Sequence, residues 1–242
     1  MTFGADRSGS RYNPACGHGR LRVAGKKIIV GYKISDTFGL RFAAVVSIIA
    51  SFYRTEARKG GPTADMLNDV AHELENLPAP EPPEPSRLPG ATHLASALPE
   101  ALNGPMASVV HGFMAIEPES PWIQTEHYRA SLGDDYMDNY GYVTLVGDRA
   151  ILKHDRIACG FFVIGPGRHY PEHHHEAEEI YHPLSGDTLW SQNGDPGTPR
   201  AIGEAVHNPP WLRHEMTTRE TPLFALYCWR GRVVNQAQLT NP

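Results

Sequence analysis

The sequence has little cysteine, little net charge and no long uninterrupted apolar run. Its three cysteines, Cys16, Cys159 and Cys228, lie far apart and form no C-x-x-C pair. That spacing signals neither a disulfide framework nor a thiolate zinc site, and it makes a reducing, cytoplasmic setting the expectation. Basic residues number 22 against 27 acidic ones, a formal net charge of -5, which leaves no electrostatic footprint for nucleic acid. The most apolar stretch, Phe38 to Phe52, is broken by Arg41 and falls short of the roughly 18 to 20 residues of a membrane span. No membrane partner is expected, and the stretch starts too late for a signal peptide.

Glycine (23) and proline (21) are frequent, and 13 histidines are many for 242 residues. The first favours a turn-rich β architecture; the length allows one well-buried domain with an appendage. Residues 1–27, rich in Gly, Arg and Ser, are expected to be disordered. Residues 28–104 read as a helical N-terminal region. One helix is predicted from Phe38 to Arg58, and a second from Thr63, its N-cap, with Met66, Val70, Leu74 and Leu77 on one stripe. The run PAPEPPEPSRLPG over 78–90 reads as a stiff linker, and a short helix follows around His93 to Leu102. From 105 to 242 the chain reads as mostly β: YGYVTLVGD, CGFFVIGPG, EEIYHPLSGD and PLFALYCWRG are apolar runs bounded by turns.

The chemistry concentrates in GPGRHYPEHHHEAEEIYHPLSG. On a strand, His173 and His175 emerge on the same face, and Glu179 follows. Two imidazoles and a carboxylate make a ligand set for a divalent first-row metal: zinc, iron, manganese, nickel or cobalt. His214, in a later strand, would add a third nitrogen. His174 points to the opposite face, His169, His182 and His207 match no ligand position, and Glu178 is out of step with the spacing that Glu179 satisfies.

This spacing resembles the first cupin motif, G-x5-H-x-H-x3-E-x6-G, with Gly167, His173, His175, Glu179 and Gly186 all in register. The second motif, G-x5-P-x-G-x2-H-x3-N, is met at Gly203, Pro209 and His214, while Trp211 replaces its glycine and Thr218 its asparagine. The resemblance implies a double-stranded β-helix, a jelly-roll barrel, and a metal held by His173, His175, Glu179 and His214. A narrower likeness follows from Tyr170, His173, His175, Glu179 and Tyr181, which together resemble the Y-x2-H-x-H-x3-E-x-Y signature of the cupin dimethylsulfoniopropionate lyases. That resemblance implies β-elimination to dimethyl sulfide and acrylate, and a homo-oligomer, taken as a homodimer.

Tyr181 stands two residues beyond Glu179, close enough for a dication to stabilise its phenolate, and is assigned as the base. Tyr170 is assigned to substrate positioning, with the role of base left open to it. Aromatic faces hold sulfonium cations, so Trp190, Trp211 and Tyr170 are the candidates for a substrate box. Two other functions stay open at this level: a cupin Fe(II) dioxygenase with the same ligands, and a non-catalytic cupin that binds a small ligand.

Overall fold

The computed structural model describes residues 20–23, 26–29 and 37–240. The expected disorder over 1–27 lies largely outside these; within them, β1 (Arg20–Val23) and β2 (Lys26–Ile29) pair as an antiparallel hairpin. The rest of the description concerns residues 38–240, a separate compact unit.

The helical region forms as its periodicity predicts. Helix α1 spans Thr37–Ala57, α2 Ala64–Glu75 and α3 Leu94–Ala101. Met66, Val70 and Leu74 are buried along one face of α2. Thr63 stands at its N-cap position without making a capping side-chain hydrogen bond. Helix α1 is longer than its apolar run suggests, and by length and composition alone it could cross a membrane. Yet Phe38, Phe42, Val45, Ile49 and Tyr53 recur along it at helical spacing and are buried in the protein core.

Strands begin later than the composition change at Pro105. Helices α4 (Ala107–Met114) and α5 (Arg129–Met137) come first, and ASVVHGFM buries Val109, Val110 and Phe113 at helical intervals. The barrel strands are then β3 (Tyr140–Gly147), β4 (Leu152–Lys153), β5 (Ile157–Ile164), β6 (His169–His174) and β7 (Glu178–Ser185). They continue with β8 (Leu189–Gln192), β9 (Thr198–Pro199), β10 (Val206–Asn208), β11 (His214–Thr217), β12 (Leu223–Arg230) and β13 (Gln238–Leu239). They form a six-stranded sheet, β10-β7-β12-β5-β3-β4, and a five-stranded sheet, β13-β6-β11-β8-β9. Every pairing is antiparallel except β3 with β4.

The helices are the outer layer of the barrel. Alternate residues of the large sheet, including Val143, Cys159, Phe161, Ile180, Phe224 and Leu226, share one apolar cluster with α1, α2, α3 and α4. The ring of Phe113 in α4 stacks on Phe161 with centroids 4.1 Å apart. Because the sheet is covered on both faces, β5 is buried along its whole length. The Pro-rich run also behaves differently from a free spacer. At its end Ser86 bridges to Pro121, its Oγ donates to the Trp122 carbonyl (2.8 Å), and Arg87 pairs with the buried Glu117.

Strand pairing leaves little room at Gly160, which faces Thr144 on one side and Tyr227 on the other. A methyl group there would strike the Val143 carbonyl oxygen and lie 2.9 Å from the Tyr227 ring. The cupin glycines Gly167, Gly186 and Gly203 all adopt positive φ, the conformation that glycine takes without steric cost. At the fourth such position Trp211 takes φ 64° in place of glycine, its N–H bonded to the His175 carbonyl at 2.8 Å.

Candidate active site

Register brings the motif residues together. His214 on β11 lies directly across from His173 on β6, and Glu179 on β7 lies between Asn208 on β10 and Trp229 on β12. His175 follows immediately after β6. All four motif residues are buried.

Each histidine is held in the same way. The Nδ1 of His173 lies 2.8 Å from the Pro171 carbonyl, that of His175 2.8 Å from Ala177, and that of His214 2.9 Å from Leu212. A carbonyl only accepts, so Nδ1 carries the proton in each ring and Nε2 of the neutral imidazole keeps its lone pair. The Nε2 atoms of His175 and His214 stand 3.1 and 3.0 Å from the same oxygen of Glu179. Trp229 Nε1 donates to the other carboxylate oxygen at 2.5 Å, and Asn208 Nδ2 donates to the first at 3.0 Å.

Burial works against the charge of Glu179, while positive charge on the adjacent His175 and His214 rings holds its carboxyl well below the usual range; with both rings neutral, a bound cation would supply that positive charge. Burial, reinforced by His214, pushes the His173 ring well below its ordinary value and keeps it neutral. Two nitrogen lone pairs and a Glu179 oxygen thus face one another in a buried site with no proton between them, and His214 Nε2 makes no hydrogen bond among the described residues. This donor set fits a divalent cation.

Among the described residues, His175, Glu179 and His214 are those whose ligand atoms all lie within 4.8 Å of one another. His173 is outside that trio. Its ring lies 4.1 Å from that of His214 and 6.4 Å from that of His175, and it stacks at 4.1 Å on Tyr170. The excluded histidines are engaged elsewhere: His169 with Glu215, His207 with Glu178, and His182 in the layer between barrel and α1.

Above the cluster is a cavity of about 130 Å³, with Glu179, Tyr170 and Tyr181 in its wall. Aromatic residues make up much of the rest: Tyr140, Tyr142, Phe162, Tyr227 and Trp229. The turn at Asp148 and Arg149 and the segment from Val233 to Ala237 also line it. Burial, and after it the Glu179 charge, pushes the Tyr181 phenol well above its ordinary value. A dication at the neighbouring cluster acts in the opposite sense.

The substrate box expected from sequence is drawn differently by the structure. Trp211 is 54% exposed and lies beside His174, away from the cavity, because the left-handed turn that it occupies directs it outward. Trp190 is buried against Tyr181, with ring centroids 5.3 Å apart, and supports the wall from behind. Tyr170 alone of the three lines the cavity. The aromatics that do face it come from strand alternation: Tyr140 and Tyr142 are two apart on β3, as are Tyr227 and Trp229 on β12. The two-residue spacing is visible in YGYVTLVG and LFALYCWR, but which face points inward is not.

Two sheets closed on a cavity, with the Glu179 of a His–Glu–His cluster in its wall, define a cupin with a site fit for a metal ion. The chain belongs to the dimethylsulfoniopropionate lyase family, whose model matches residues 64–225. It is 32% identical over 200 residues to dimethylsulfoniopropionate lyase DddQ of Ruegeria pomeroyi, covering 82% of this chain and 95% of that protein. It is also 27% identical over 166 residues to the putative dimethylsulfoniopropionate lyase DddL of Cereibacter sphaeroides, 68% of each chain. The crystal structure of the Ruegeria pomeroyi DddQ superposes with a TM-score of 0.66 at 29% identity, covering 82% of this chain and 97% of that one.

Proposed function

We propose that this protein is a metal-dependent carbon–sulfur lyase that cleaves dimethylsulfoniopropionate to dimethyl sulfide and acrylate. The observation that carries the reading is the buried His175–Glu179–His214 cluster, whose Glu179 lines an aromatic cavity together with Tyr170 and Tyr181. One divalent first-row ion is its cofactor, held by those three residues with His173 alongside. Bound there, it supplies Lewis acidity toward a substrate carboxylate and favours the phenolate of an adjacent tyrosine.

The chain's own groups account for the remaining steps. Tyr181, two residues beyond Glu179 on the same strand, accepts the proton from the carbon next to the carboxylate. The electron pair of that C–H bond becomes the new carbon–carbon double bond. The bond from the β-carbon to sulfur breaks with its pair on sulfur, so neutral dimethyl sulfide leaves without an acid. Tyr142, Phe162, Tyr227 and Trp229 line the cavity and make it an aromatic surround suited to a sulfonium, and the apolar wall excludes water that would solvate the charges. Tyr170 positions the substrate.

The test is headspace detection of dimethyl sulfide from purified protein loaded with zinc, iron, manganese, nickel or cobalt in turn, with oxygen uptake recorded alongside. Dimethyl sulfide release without oxygen consumption is expected; oxygen-dependent turnover would favour the dioxygenase alternative. The reading extends to a cytoplasmic homodimer, which cell fractionation and light scattering check.

A further inference from the structure

Packed edge-on against Tyr170 is Tyr128, fully buried at the end of the 3-10 turn Glu126–Tyr128. Its hydroxyl lies 3.1 Å from the Tyr170 hydroxyl and 3.3 Å from the Ala237 carbonyl oxygen. Each phenol has one proton to give, and the carbonyl only accepts. If Tyr128 donates to Ala237, Tyr170 must donate to Tyr128. Burial pushes the Tyr128 phenol up to about 12, so at neutral pH it keeps its proton for that bond.

We propose that Tyr128 fixes the direction of a hydrogen-bond chain, from Tyr170 to Tyr128 to the Ala237 carbonyl. Tyr170 then presents an oxygen lone pair, not a proton, to the cavity and receives the cationic end of a zwitterionic substrate. Tyr128 is a positioning residue: it does not line the cavity and acts through Tyr170. The identity of the zwitterion rests on the lyase reading above. Ala237 belongs to the cavity-lining Val233–Ala237 segment, so the same chain ties that wall to Tyr170 and, through the Tyr170–His173 ring stack, to the metal cluster. A carboxylate in front of Tyr170 would meet a lone pair, so the substrate enters with its sulfonium toward Tyr170 and its carboxylate toward the cation that the His175–Glu179–His214 cluster would hold. After elimination the anionic product finds no donor at Tyr170, which favours its release.

The experiment measures binding of two probes, trimethylsulfonium and acrylate, to the metal-loaded full chain by calorimetry. In Tyr128→Phe the Tyr170 proton is freed toward the cavity. Trimethylsulfonium should then bind about fivefold more weakly and acrylate about fivefold more tightly, the effect of one ordinary hydrogen bond in each case. Tyr136→Phe removes another buried hydroxyl from the same tyrosine group, one without a hydrogen-bond partner, and should move neither probe. Loss of both affinities together, or no change in either, overturns the proposal.

Should Tyr128→Phe not fold, the ultraviolet resonance Raman difference between wild type and Tyr170→Phe reads the Tyr170 hydroxyl directly. A donor-type doublet is expected, and an acceptor-type doublet refutes the chain. If wild-type protein releases no dimethyl sulfide, the reaction is wrong, while the binding measurements still decide the role of Tyr128.

Discussion

Trp229→Phe isolates one bond at the metal site. The Trp229 indole does two things: its N–H donates to Glu179 at 2.5 Å, and its ring stacks on His175 with centroids 4.1 Å apart and an interplanar angle of 28°. Phenylalanine keeps an aromatic face against His175 and removes the donor. Glu179 Oε1 then loses the indole hydrogen bond while remaining fully buried. A hydrogen bond to a buried charged group contributes about 1.5–3 kcal/mol. Partners that orient metal ligands typically change metal affinity about 10- to 100-fold, which at 1.4 kcal/mol per tenfold is about 1.4–2.8 kcal/mol. The two routes agree. The expected result is therefore a metal dissociation constant raised about 10- to 100-fold, measured by competition with a chromophoric chelator, with the circular dichroism of the metal-free protein unchanged. Affinity within a factor of two of wild type would show that Trp229 does not orient Glu179 and would refute the coupling of indole to metal ligand.

Other predictions follow from the same geometry. Tyr181→Phe should abolish dimethyl sulfide release while metal content stays near wild type; full activity would remove Tyr181 as the base. Glu179→Ala or His214→Ala should lose both metal and activity, and stoichiometric metal in either by elemental analysis would refute the ligand set. Gly160→Ala should lower unfolding free energy by about 1–3 kcal/mol in urea titrations, because the methyl has no space beside Val143 and Tyr227. Burial lowers His182 to about 4, below its ordinary 6.5, so the unfolded chain binds the proton first as pH falls. Stability is thus present above 6.5 and lost between 6.5 and 4. Relative to His182→Gln, which cannot titrate, wild type should lose roughly 2 kcal/mol more between pH 7 and pH 4.5; parallel acid limbs would count against a neutral buried His182.

Much of this protein is local in origin, and that much could be read from the residues. The intervals among Gly167, His173, His175, Glu179, Gly186 and His214 express strand alternation and turn glycines, which depend on near neighbours in the chain. The same holds for α1 and α2, whose apolar residues repeat at helical spacing over two or more turns. Tertiary packing decided the rest. Whether Trp211 faced substrate or solvent depended on one left-handed residue in a turn. Whether the helical region hung free or covered the large sheet depended on α1 and α2 residues such as Ile49 and Val70 sharing one apolar core with Val143, Phe161 and Phe224 of that sheet. The ligand trio emerged only when the sheet of β6 and β11 faced the sheet of β7, and the aromatic wall only when the inward faces of β3, β5 and β12 were set. Sequence spacing determined which side chains share a face; the pairing of distant strands determined which face encloses the chemistry. The reason is physical: alternation is a property of one strand, whereas enclosure requires apolar surface from many strands to be buried together.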